Sequence, residues 1–178
     1  MVSRKALAAT AAAALAFHPV AAAAQQSCVT EEEVSAIAIY SLPGLVQAVR
    51  LRCGPELSSG GYLSQRGDSL IARYSALQPR VWPRAKSGLL KVLAGRSAQG
   101  RQNLDMLTDL PDNAVRPLVD ALIVQELAPK IATRNCSRIE RAIQVAAPID
   151  PEVAGTLLGV IAGIVNPEQL PVCAARRS

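Results

Sequence analysis

The chain has 178 residues, with 19 Lys and Arg, 14 Asp and Glu, four Cys and one His; half is hydrophobic and only 3% aromatic. The one histidine, His18, lies in an N-terminal stretch expected to be removed, which excludes Ser-His-Asp and Cys-His catalysis and every His-ligated metal site from the remainder. An enzyme built on that remainder must use carboxylates, a Ser/Lys dyad, a Tyr or a bound cofactor.

Met1 to Lys5 is short and basic, Ala6 to Phe17 is apolar, and Pro19 precedes the small residues Ala21 to Ala24. This order reads as a secretory signal peptide over residues 1–24. Its apolar run is too short to cross a bilayer, which takes about 20 residues. Gln25 occupies the position before Cys28 where a lipobox needs an aliphatic residue, so a lipid anchor is rejected. Removing 24 of 178 residues leaves 154 (25–178), enough for one helical domain with a core. Taking Arg4 and Lys5 from 19 basic residues, against 14 acidic ones, leaves a net charge of +3.

Cys28, Cys53, Cys136 and Cys173 survive cleavage. An even number in an oxidising compartment suggests two disulfides. Three pairings are open. Cys28–Cys53 with Cys136–Cys173 is preferred, because each bridge would close a local helical unit. A four-cysteine zinc site is disfavoured by the lack of close Cys pairs.

Eleven prolines punctuate residues 25–178, and between them the apolar spacing is helical; no convincing strand appears. Thr30-Glu31-Glu32-Glu33 is a capping box that opens the first helix. Pro43 is expected to start or kink a second helix, ending at Cys53. Gly54 to Gly67 reads as a loop with a short turn at Tyr62–Leu63. Leu70, Ile71, Tyr74 and Leu77 mark the next helix, and Pro79 opens another to about Ala94. Gly95 to Asn103 reads as a loop. Leu104, Leu107 and Leu110 suggest a short helix. A longer one follows Pro111–Asp112 and ends or bends at Pro129. Ser137-Arg138-Ile139-Glu140 is a second capping box, and Asp150-Pro151-Glu152 is a strong third start.

The last helix, Val153 to Val165, is apolar nearly all round, and such helices lie in a core or a membrane. At about 20 Å it is shorter than the roughly 30 Å bilayer core. Gly155, Gly159 and Gly163 give it one smooth face for close helix approach. The expectation is a central helix of a soluble bundle. The fold class is therefore all-α: a single irregular bundle of six to eight short helices with two disulfides.

Charge is segregated. Arg66 to Arg101 holds eight basic residues against Asp68, and Asp105 to Glu126 holds five acids against Arg116. On the Pro79 helix Arg80, Arg84 and Lys91 share a narrow stripe, opposite an apolar face that includes Trp82. Arg73, Arg80, Arg84 and Lys91, with Trp82 at the edge, are the candidate surface for an anionic envelope component or an acidic protein. The competing reading is a solvated helix face with Trp82 in the core. Nucleic acid is not expected as a partner at a charge of +3. No transmembrane span is expected after signal cleavage, and no cofactor or metal site is read.

Enzyme motifs are weaker. Ser87 and Lys91 stand one turn apart but do not form S-x-x-K. Asp120 and Glu126 point about 120° apart on one helix, a poor arrangement for paired carboxylates.

Cys28-Val29-Thr30, Pro43, Cys53, Ile71-Ala72-Arg73-Tyr74 and Trp82-Pro83 together resemble small uncharacterised exported helical four-cysteine proteins of alphaproteobacteria. The resemblance covers about two-thirds of the mature chain and implies no activity or functional residues. The functional expectation is a periplasmic or secreted, non-enzymatic binding or structural module of the cell envelope. The alternatives are a His-free carboxylate hydrolase acting on envelope glycan, or a membrane-active protein using the Gly155–Gly163 helix.

Overall fold

Thr30 and three successive glutamates give the chain a strong place to begin a helix, and α1 (Glu31–Cys53) begins there. The Thr30 hydroxyl accepts from the Glu33 N–H at 3.2 Å, and the Glu33 carboxylate accepts from the Thr30 N–H at 2.9 Å. This is the capping box the sequence predicts. A computed structural model describes residues 28–96, 110–168 and 170–173. The expected signal peptide lies outside the described residues, as do Leu104, Leu107 and most of the predicted Gly95–Asn103 loop.

Pro43 does not divide α1. The helix runs through it for 23 residues, and Pro43 itself is buried. One backbone hydrogen bond is lost there, but the buried residues around it, Ile39, Tyr40, Gly44 and Val46, hold the helix together. α1 is the central pillar and touches each of the other five α-helices among the described residues. It is long and apolar enough to cross a membrane by length and composition. In this fold Tyr40, Val46, Ala48 and Val49 on it are fully buried against its neighbours.

After a 3-10 turn at Gly54–Glu56, α2 spans Tyr62–Ser75. The predicted Gly54–Gly67 loop is thus shorter than expected, because α2 begins at Tyr62. No side chain of its own caps α2. Glu140 does so from across the fold, accepting from the Leu63 N–H at 2.9 Å. That also corrects the second predicted capping box: α5 (Cys136–Ala146) starts one residue earlier than Ser137, and Glu140 serves α2 instead of its own helix.

α3 (Gln78–Arg96) and α4 (Asp112–Leu127) follow the predicted starts. Pro129 ends α4 in a 3-10 turn at Ala128–Lys130. α6 (Pro151–Val165) begins at the predicted Asp150 cap, whose carboxylate accepts from the Glu152 and Val153 N–H groups at 2.9 and 3.3 Å. It stops at Asn166, which takes a left-handed conformation with φ 42°. The Asn166 side chain then accepts from the Val172 N–H at 3.0 Å and turns the chain back toward α1.

α3 and α6 both run antiparallel to α1. Trp82 meets Tyr40 while Lys91 meets Glu33. A Cβ on Gly155 would meet Ser35 and Ile39, and one on Gly163 would meet Glu31. The returning strand of chain forms a single parallel bridge, Val29 with Val172, through Val29 N–H to Pro171 C=O and Cys173 N–H to Val29 C=O, both 2.9 Å.

The disulfides are Cys28–Cys173 and Cys53–Cys136, with Cα separations of 5.0 and 5.6 Å. The preferred local pairing was wrong, for a simple reason. An unbroken α1 puts Cys28 and Cys53 about 35 Å apart at 1.5 Å per residue, and a bridge needs Cα atoms within about 7 Å. The two bridges are nested, with sequence separations of 145 and 83. Both fit an oxidising, exported setting.

The expectation of a central α6 is also corrected. Its glycine face lies on α1, but the helix is peripheral. A Cβ at Gly159 would stand 2.4 Å from the Glu31 carbonyl oxygen, so the two backbones are in direct contact. At Gly163 the nearest atom would be the end of the Glu31 side chain, 2.6 Å away.

Four outcomes are expected. Peptide mapping of the unreduced protein finds the nested pairs, and replacing Cys53 and Cys136 by Ser lowers stability by about 4–5 kcal/mol in denaturant titration. Gly159→Ala, which meets backbone, costs about 1–3 kcal/mol. Gly163→Ala, which meets a carboxylate free to swing away, leaves the melting temperature unchanged or raises it through better helix propensity.

Candidate functional site

The candidate residues, Arg73 on α2 and Arg80, Trp82, Arg84 and Lys91 on α3, read as one surface in the sequence, but the fold sends them to four different places. Trp82 is 2% exposed and belongs to the core, with its ring centroid 4.9 Å from that of Tyr40. It is not at the edge of a surface. The Tyr40 hydroxyl and Trp82 Nε1 are both buried without a partner at full hydrogen-bond geometry. Burial first, then the facing Asp120 carboxylate, pushes the Tyr40 hydroxyl up, against a smaller opposing effect of Arg116.

Lys91 turns inward. Its Nζ lies 2.7 and 2.8 Å from the two Glu33 carboxylate oxygens. Ser87 donates to the same carboxylate at 2.6 Å. Ser87 and Lys91, one turn apart, therefore bind a common acid instead of activating one another. Gly88, between them, lets α3 come close; a Cβ there would meet Ile37 at 2.8 Å and Glu33 Cβ at 3.0 Å. Glu33 is only 8% exposed. Burial raises its pKa, but Lys91, Ser87 and the Thr30 N–H together outweigh burial and hold it below the usual carboxylate range.

Arg73 crosses to the end of α5, where it donates to the carbonyls of Ala147 and Ile149. A cation there suits the free carbonyls and the negative helix end. Its guanidinium also lies 5.6 Å from the centre of the Tyr74 ring.

Arg80 and Arg84 remain together. They stand on one wall of a cleft of about 370 Å³ between α1, α3 and α6. Ala36, Ile39 and Val81 make its floor apolar, and Thr156 and Val160 of α6 form the far wall. Three carboxylates, Glu31, Glu32 and Glu152, share this cleft with the two guanidiniums. Arg80 is ion-paired with Glu152. Glu32 is held below the ordinary range first by its own backbone N–H, then by Thr30, with Arg84 also contributing. The cleft is thus zwitterionic rather than basic.

Asp120 and Glu126, the other acids considered from sequence, serve separate neighbours. Asp120 acts on Tyr40 and lines a second cavity of about 240 Å³ with Gln47 and Gln78. Glu126 pairs with Lys130 at 3.3 Å on the surface. Among the described residues no group of three or more His, Cys, Asp or Glu could hold a metal.

The feature that sequence reasoning missed is the outer side of α6. Because the glycines face α1, the large aliphatic residues of the helix lie on its sides and outer face, with Val160 at the lip of the cleft. Val153, Leu157, Val160 and Ile164 form an outward row, flanked by Leu158, Ile161 and Val165, and all seven are 40–78% exposed. Their directions span about 160° of the helix circumference at 100° per residue. No charged or polar side chain interrupts that arc. The signal was present in a helix apolar on all sides, which one glycine-faced contact cannot cover. Comparison with protein-family models, curated proteins and solved structures finds no match to this chain.

The Glu33 cluster makes a pH prediction. Its folded pKa lies below the unfolded value near 4.5. The stability it contributes is therefore complete above pH 4.5 and is lost as pH falls through the folded pKa. Glu33→Gln removes this acid-side slope and lowers stability at pH 7 by about 2–3 kcal/mol, less than a fully buried pair because Lys91 keeps some contact with water. Melting temperatures from pH 3 to 7 for both proteins check the sign and the size.

Proposed function

We propose that this protein is an exported, non-enzymatic binding module of the cell envelope, periplasmic or secreted, that meets a protein partner through the outer face of α6. The observation that carries this reading is the row of aliphatic side chains on that helix, up to 78% exposed at Ile164. Soluble monomers rarely leave a contiguous apolar patch of more than a few hundred Å² in water, and larger ones mark contact surfaces. The nested disulfides support the exported setting. They also tie both ends of the fold to α1, which gives α6 a rigid base.

The anionic-partner reading survives in a narrower form. Arg80 and Arg84 line the cleft beside α6, and Val160 belongs to both the cleft and the apolar row. The Arg80–Glu152 pair is exposed on both sides. Such pairs are worth about 0–1 kcal/mol, so an acidic group on a docked partner can exchange with Glu152. In this arrangement the apolar face supplies affinity and the arginines supply orientation.

The test is crosslinking of the oxidised protein in envelope extract at low and high salt. Leu157→Glu is expected to abolish the dominant crosslink at both salt concentrations. Arg80→Glu with Arg84→Glu is expected to weaken it, more so at low salt. A crosslink that ignores Leu157→Glu contradicts the reading.

A further inference from the structure

We infer that the outer face of α6 pairs with α6 of a second copy of this chain, antiparallel and across a two-fold axis; this rests on the reading of α6 as a contact surface. The spacing of the exposed row is the first argument. Val153, Leu157, Val160 and Ile164 follow one another at four, three and four residues. That is the heptad seam of helix-on-helix contact, in which each side chain enters a hole between four residues of the facing helix. The row also reads the same in both directions. Its midpoint falls between Leu158 and Gly159, so an antiparallel copy sets Val153 against Ile164 and Leu157 against Val160. A two-fold pair requires this self-complementarity, because the same patch must serve both subunits. Antiparallel helices also bring opposite dipole ends together.

The area is the second argument. With these exposures the seven side chains leave on the order of 600 Å² of aliphatic surface in water, close to the roughly 800 Å² per partner of a standard interface.

The character of the face is the third argument. The row itself carries no charge and no hydrogen-bonding side chain, and the cleft at its Val160 edge holds charges of both signs, so its natural complement is another face of the same kind. A lipid surface suits it less well. Interfacial helices carry Lys and Arg on their polar side and aromatic anchors at the boundary. α6 has no basic residue and no aromatic one, and the only tryptophan is in the core.

Sedimentation equilibrium of the oxidised protein across the micromolar range tests the inference. The expected result is a reversible dimer. Leu157→Glu and Ile164→Glu, both at exposed positions that do not support the monomer core, should each raise the dissociation constant about tenfold or more with unchanged circular dichroism. Leu51→Glu, on an exposed leucine at the far end of α1, should leave it unchanged. A dimer insensitive to both α6 variants overturns the inference, as does a monomer at every concentration. In the monomer case, an envelope crosslink lost in Leu157→Glu preserves the binding-module reading with an unlike partner, and no such crosslink removes both. Flotation of a monomer with phosphatidylethanolamine/phosphatidylglycerol vesicles, lost in Leu157→Glu, overturns the second copy in favour of lipid.

Discussion

The contact between Gly159 and the Glu31 carbonyl decides the character of this molecule. A side chain at Gly159 would stand 2.4 Å from a backbone oxygen, so α6 can lie this close only with its glycines inward. Choosing that face fixes the other. The bulky residues of α6 then lie on its sides and outer face, and the most apolar helix among those described becomes the most exposed apolar surface. In the main core, aliphatic and aromatic side chains such as Tyr40, Val46, Val49 and Trp82 fill the space between helices. α6 inverts this arrangement.

The first turn of α1 is where the remaining constraints converge. Thr30 and Glu33 cap it, Ser87 and Lys91 of α3 bind the same Glu33 carboxylate, and the Val29–Val172 bridge and Cys28–Cys173 disulfide close over it. One glutamate thus serves a helix start and a tertiary ion pair together. The second disulfide fastens the opposite end of α1 to the start of α5. A pillar held at both ends can carry a peripheral helix on one glycine-lined contact without that helix contributing its aliphatic side chains to the core. The same convergence explains the fate of the basic stripe. Cations two to three turns apart on α3 face different depths of the fold, so Lys91 neutralises a buried acid while Arg80 and Arg84 stay in the cleft.

Local chemistry was the legible part of the sequence. The Thr30–Glu33 box, the Asp150-Pro151 start and the all-α class all rest on interactions within four or five residues. What failed depended on distance. Pro43 breaks helices on average, but the packing of α1 against its neighbours around a buried Pro43 outweighs one missing hydrogen bond, and once α1 is continuous the local disulfide pairing is geometrically impossible. Glu140 looks like a partner for Ser137 because spacing cannot show that Leu63 of another helix offers a better use for it. Ser87 and Lys91 were legible as a pair, but the acid between them lies more than fifty residues earlier. The glycine repeat was legible too. It showed which face would make close contact, but it could not show that nothing covers the other side of α6 among the described residues.

The account therefore turns on which face of α6 meets α1. Carbene footprinting answers that directly, because a photolysed diazirine inserts into aliphatic C–H bonds wherever solvent reaches them. On dilute, oxidised protein the account predicts strong labelling at Val153, Leu157, Ile161 and Ile164, with Ile39 and Val34 of α1 left unlabelled. Protection of those four α6 residues in dilute protein, where association is negligible, would mean that the aliphatic face lies inward, and would contradict it.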